Sequence, residues 1–114
     1  MPPRIYSNSS CSKCLTALAL LQEHHVQADT IRYLDEPPTV AELESLMQLL
    51  DIDDPRLMMR TGEAMYAELA LADQEGAALI EAISRHPILL ERPIFVVGDR
   101  AVIARPPERL LELL

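Results

Sequence analysis

Arg4-Ile5-Tyr6-Ser7-Asn8-Ser9-Ser10-Cys11-Ser12-Lys13-Cys14 is the stretch on which the reading of this chain turns. Arg4-Ile5-Tyr6 has the look of a short strand, Ser7–Ser10 is a polar turn, and the Leu/Ala-rich run that follows Cys11 has a helical pattern. Cys11 and Cys14 are the only two cysteines, and Lys13, the only lysine, lies between them. A helix N-terminus carries unpaired N–H groups and roughly half a positive charge, which favours thiolate over thiol. A strand that feeds a helix with a cysteine at its head therefore marks Cys11 as a candidate nucleophile. Cys14, three residues on, lies on the same helix face and is a candidate resolving thiol.

Working outward, residues 12–25 read as a helix that is apolar around most of its girth and hence buried between layers. Residues 29–34 have the β-branched and aromatic content of a second strand, and a strand–helix–strand unit implies parallel pairing. Pro37-Pro38 breaks the chain, and Thr39-x-x-Glu42 is a capping box ahead of a helix over 39–50. Asp53-Asp54-Pro55 precedes a short helical piece with Leu57-Met58-Met59-Arg60. Residues 63–70 and 73–85 read as further helices, the second with Asp73 as its N-cap and His86-Pro87 at its end. Then Ile94–Val97, Gly98-Asp99 and Arg100–Ala104 have the pattern of a two-residue hairpin. Pro106-Pro107 ends that strand, and Glu108–Leu114 is a short terminal helix.

The order β-α-β, helices, β-β-α predicts an α/β protein with a thioredoxin-like fold, one domain over 1–114 with a central helical insertion at about 39–86. In such a fold Arg92-Pro93, just before the hairpin, stands where a cis-proline faces the active-site cysteine. Cis X-Pro bonds are a small minority, so this expectation depends on the fold.

Composition narrows the function. The chain has 114 residues, 49% of them hydrophobic, and a net charge of −8. Such an acidic balance argues against nonspecific binding to nucleic acid or anionic membranes, which needs a basic face. No apolar run approaches a membrane span, and Met1-Pro2-Pro3-Arg4 lacks the apolar region of a secretory signal, so a cytoplasmic protein is expected. In that compartment Cys-x-x-Cys points to redox or metal chemistry rather than a structural disulfide. His24-His25 stand at the far end of the same predicted helix and cannot readily complete a zinc site with the cysteines, so no metal is expected. Nine of the ten basic residues are arginines. Arginine holds oxyanions with two parallel hydrogen bonds, where lysine acts as a point charge.

Several motifs together resemble the ArsC/Spx family of glutaredoxin-linked arsenate reductases and their relatives. They are Cys11 after Ile-Tyr-x-Asn, Tyr33-Leu34-x-x-Pro37-Pro38-Thr39, Leu57-Met58-Met59-Arg60, the long run from His86 to Ile94 (His-Pro-Ile-Leu-Leu-Glu-Arg-Pro-Ile), and Ala104-Arg105-Pro106-Pro107-Glu108. The resemblance covers essentially the whole chain. It implies that Cys11 attacks an oxyanion held by Arg60, Arg92 and Arg105, with glutathione as co-substrate, glutaredoxin as partner and no bound cofactor. A monomer is expected.

Two positions depart from the reductases of this group. Ser7 stands where they commonly have a histidine, four residues before the nucleophile. Cys14 and Leu15 stand where they commonly have an arginine, a charge that Lys13 partly replaces. Cys14 invites two other readings. One is a glutathione-dependent thiol–disulfide reductase working through Cys11 and Cys14. The other is a non-enzymatic, Spx-like regulator in which a Cys11–Cys14 disulfide switches binding to RNA polymerase.

Overall fold

The computed structural model describes residues 2–114. They divide into two compact units, one made of the residues up to Glu36 together with Arg92–Leu114, the other of Pro37–Glu91.

The first unit is a four-stranded sheet in the order β2-β1-β3-β4. β1 (Arg4–Ser7) pairs in parallel with β2 (Asp29–Arg32), antiparallel β3 (Ile94–Val97) lies on its other side, and β4 (Arg100–Ile103) closes the edge. Ile5, Tyr6 and Ser7 of the central strand β1 are all buried, the pattern of a strand covered on both faces. Gly98 supplies the positive φ of 58° in the two-residue turn between β3 and β4, where Val97 pairs with Arg100. The strand β2 stops at Arg32 because Asp35 and Glu36 donate their N–H groups back to the Arg32 carbonyl, turning Tyr33-Leu34 out of the ladder. The terminal segment Pro107–Leu113 is a 3₁₀ helix, not an α-helix.

Helix α1 spans Ser12–Glu23 and ends earlier than its Leu/Ala content suggests, with His24 as C-cap and His25 in the left-handed region. It is not buried all round. Cys14, Ala17 and Leu21 form one buried stripe, and Leu15 is 54% exposed. A helix laid on one face of a sheet buries only a stripe, however apolar the rest of its surface. Ala17 and Leu21 join Ile5, Phe95, Val102, Ala104 and Leu110 in the core of this unit.

The second unit is helical: α2 (Val40–Leu50), α3 (Ala64–Glu68) and α4 (Ala77–Arg85), with 3₁₀ turns at Pro55–Met58, Leu71–Asp73 and Pro87–Leu89. The Thr39 hydroxyl accepts the Glu42 N–H at 3.1 Å, so α2 starts at the predicted cap. Leu43, Leu46, Met58, Leu79, Ile83, Leu89 and Leu90 are fully buried. The predicted cap at Asp73 is not used. Asp73 ends a 3₁₀ turn, and α4 begins four residues later with Gly76 as N-cap, because the chain is first turned by Ala70 at a φ of 52°. Met59 and Leu90 form an antiparallel bridge, bracketed by hydrogen bonds from Arg60 N–H to the Leu89 carbonyl and from Glu91 N–H to the Met58 carbonyl.

Candidate active site

The turn from β1 into α1 builds the site. Asn8 organises it: its side-chain oxygen accepts both the N–H and the hydroxyl of Ser10, at 3.1 and 2.8 Å, and its carbonyl accepts the Cys11 N–H at 3.0 Å. An Asx turn of this kind reverses the chain without help from the sheet. Cys11 is then the N-cap of α1, in extended conformation, with its carbonyl accepting the Leu15 N–H as the first bond of the helix.

Both cysteines are free thiols and both are buried, Cys14 completely. Their environments pull in opposite directions. Burial pushes the Cys11 thiol up, but the N–H and thiol of Cys14, the charge of Arg92 and the N–H of Lys13 together outweigh it and bring Cys11 below the ordinary thiol range. These N–H groups close no capping hydrogen bond of full geometry on the sulfur, so they act as helix-terminus dipoles aimed at it. Burial drives Cys14 above the ordinary range. The N–H of Asn8 and the hydroxyl of Ser7 oppose that rise, while the Cys11 sulfur adds to it. Cys11 is therefore the more readily ionised of the two thiols.

The other predicted site residues divide between the two units. Arg92 and Arg105 belong to the first unit and are half-buried. Arg92 lies close enough for its charge to act on Cys11, and Arg105 donates to the Arg92 carbonyl at 3.0 Å. The Arg92-Pro93 bond is cis, as its place before β3 predicts, and so is Arg105-Pro106. Arg60 belongs to the second unit, where it pairs with Glu63 at 3.2 Å in a polar cavity also lined by Thr61, Gly62 and Glu91. Lys13 acts on Cys11 through its main-chain N–H, and its side chain is exposed.

Ser7 and Asn8 are the residues that sequence reasoning undervalued. Ser7 counts there only as a missing histidine, yet among the described residues it is the one polar residue in the buried set, and its hydroxyl acts to hold down the Cys14 pKa. Its position at the end of β1, four residues before Cys11, was the available signal. Among the described residues no group of His, Cys, Asp and Glu is arranged to hold a metal ion, and no helix is long and apolar enough to cross a membrane.

A sheet of this topology, with a cysteine at the head of the first helix and a cis-proline before the third strand, defines a thioredoxin-like fold. The chain belongs to the ArsC family, whose model matches residues 6–113. It is 46% identical over 112 residues to an arsenate reductase of Haemophilus influenzae, covering 96% of this chain and 97% of that protein. It is 34% identical over 112 residues to an arsenate reductase of Escherichia coli, covering 96% of this chain and 79% of that one. The solved structure of an arsenate reductase from Vibrio cholerae superposes with a TM-score of 0.96 at 43% identity, over 100% of this chain and 98% of that one.

Proposed function

We propose that this chain is an arsenate reductase in which the Cys11 thiolate is the nucleophile. The observation that carries the reading is the placement of Cys11 at the head of α1, where helix N–H groups, the Cys14 thiol and Arg92 together favour the thiolate. The thiolate sulfur bonds to arsenic and an arsenate oxygen leaves as water. A negatively charged sulfur approaches an oxyanion only where that charge is offset, and the Arg92 and Arg105 guanidinium groups supply the offset. Arg60, in the second unit, is the third guanidinium that the family resemblance implies.

Glutathione then attacks the cysteine–arsenate adduct, and glutaredoxin completes the reduction. In balance, As(V) takes up two electrons to become As(III), and two thiol sulfurs become one disulfide. A reaction that consumes glutathione belongs in the reducing cytoplasm. No bound cofactor takes part.

The relatives named arsenate reductase support this activity, and so does the inequality of the two thiols. The test is arsenate reduction coupled to glutathione and glutaredoxin, run on the wild type, Cys11→Ser and Cys14→Ser. Activity lost only in Cys11→Ser is the expected result. Absence of arsenate turnover in the wild type overturns the proposal. The Cys14 thiol, one of the groups that bring the Cys11 pKa down, favours one second reading, a glutathione-dependent thiol–disulfide reductase. A Cys11–Cys14 disulfide that forms readily, without arsenate turnover, selects it.

A further inference from the structure

The charge of the chain is unevenly shared. The second unit, Pro37–Glu91, holds eleven Asp and Glu side chains against three arginines, a net charge of −8 that equals the net charge of the whole chain. In the first unit seven acidic residues balance seven basic ones. The arginines of the second unit are engaged within it: Arg56 with Asp54 at 3.7 Å, Arg60 with Glu63 at 3.2 Å and Arg85 with Glu81 at 2.7 Å. Eight of its carboxylates stand outside those pairs.

Within this unit an open groove of about 390 Å³ runs between α2 and α4. Leu43 and Leu46 give α2 its buried face, while Val40, Glu44 and Met47, spaced four and three residues apart, form a second ridge along the groove. Ile52 and Ile80 extend the apolar lining, and Asp53 adds a second carboxylate to Glu44. The head of α4 brings only Gly76 and Ala77 to the opposite wall, and Val40 stays 40% exposed. Among the described residues no basic side chain lines the groove, and neither Glu44 nor Asp53 takes part in an ion pair. The N-terminus of α4 places about half a positive charge at its edge, which two full carboxylates outweigh.

We propose that this groove docks a basic segment of another protein, with one large apolar side chain seated among Val40, Met47 and Ile80 and flanking lysines or arginines facing Glu44 and Asp53. Charge complementarity selects that occupant. An anionic surface is repelled by a unit of this charge, and an isologous contact between two copies would set −8 against −8. A small cation would use Glu44 and Asp53 alone, whereas a segment with several basic residues also draws on the carboxylates around them, which steer its approach. Seating an apolar anchor in a groove between two helices is a recurring mode of peptide recognition.

The probes are synthetic peptides with a central leucine, phenylalanine or tryptophan flanked by lysines or arginines. Matched peptides carry alanine at the centre, or glutamine at the basic positions. Affinity is read by fluorescence anisotropy on the full chain, and the place of binding by amide shifts in its ¹H–¹⁵N correlation spectrum. Neither measurement needs arsenate, so the outcome is separate from that of the activity assay.

A basic peptide with an apolar centre is expected to bind one-to-one with a Kd of about 10–100 μM, shifting α2, residues 52–55 and the head of α4. Alanine at the centre weakens it roughly tenfold. Glu44→Gln combined with Asp53→Asn also weakens it roughly tenfold at low salt, and less as salt is raised. Glu68→Gln combined with Asp73→Asn removes the same charge at exposed positions of the unit outside the groove, and changes affinity less than about twofold. Ala77→Trp, at an exposed position, fills the groove and lowers affinity about tenfold or more with the thermal midpoint unchanged. Equal losses in the two charge-removing pairs, or alanine-centred peptides that bind as well as the others, show attraction to an acidic surface without a groove and overturn the proposal. So does a panel in which no peptide binds below about 1 mM. A concentration-dependent dimer that Ala77→Trp dissolves overturns it too, by assigning the groove to a second copy.

Discussion

The Arg105 guanidinium donates to the main-chain carbonyl of Arg92 at 3.0 Å, joining the segment after β4 to the one before β3. One arginine thereby holds the backbone of the other. Arg105 uses one nitrogen of its planar fork for this bond, and a guanidinium carries five N–H donors in a fixed plane. Lysine keeps the charge but loses that fixed geometry. Arg105→Lys is expected to raise KM for arsenate roughly tenfold, in line with about 1.5–3 kcal/mol for a hydrogen bond to a charged group, with a smaller change in kcat. Steady-state kinetics check this, and an unchanged KM removes Arg105 from the anion site.

The charge of Arg92 has a measurable consequence at Cys11. A thiol pKa below the ordinary range means that the thiolate persists to lower pH, and removing a nearby positive charge moves the ionisation back up. Arg92→Met should therefore slow Cys11 alkylation at pH 7 by about threefold or more, tenfold corresponding to one pKa unit. The rates of variant and wild type should converge at a pH above both ionisations. Arg100→Met, at an exposed position on β4, serves as the control and should leave the profile in place.

Arg60 is held by Glu63, three residues away and half-buried with it. An oxyanion that uses Arg60 has to displace that carboxylate. Glu63→Gln keeps the shape and removes the competing charge, so KM for arsenate should fall by up to about fivefold with kcat little changed, the scale of a partly exposed ion pair. A KM that stays the same or rises would argue against Arg60 as an anion ligand.

Arg56 closes a loop of the second unit. Its Nε donates to the Tyr66 hydroxyl at 2.9 Å, and its terminal nitrogen donates to the carbonyls of Leu71 and Ala72, at 3.0 and 3.2 Å, and of Gln74. These carbonyls lie in and around a 3₁₀ turn, and a lysine has no planar fork to collect them. Arg56→Lys should lower the thermal midpoint and speed amide hydrogen exchange over residues 66–74, with exchange in β1 and β3 unchanged. Exchange that does not alter in 66–74 would show that the loop holds itself.

What the sequence determined by itself was local. The strand–turn–helix at Cys11, the Thr39 cap of α2 and the two-residue turn at Gly98-Asp99 all depend on residues within a few positions of one another, so their chemistry is visible in the string. The same holds for the order of the elements and for Cys11 as the thiol at a helix head. What only the tertiary structure decided was which side chains meet. Sheet register and the seating of α1 bury Cys14 beside the Asn8 N–H, bring Arg92 within reach of Cys11 and set Arg105 against the Arg92 carbonyl. The same seating leaves Leu15 exposed on a helix whose composition suggested burial all round. A pattern of residues gives the face that a helix can bury, but the partner on that face is chosen by packing between segments far apart in the chain. For that reason the two thiols, alike in the sequence, come to have opposite environments only in three dimensions.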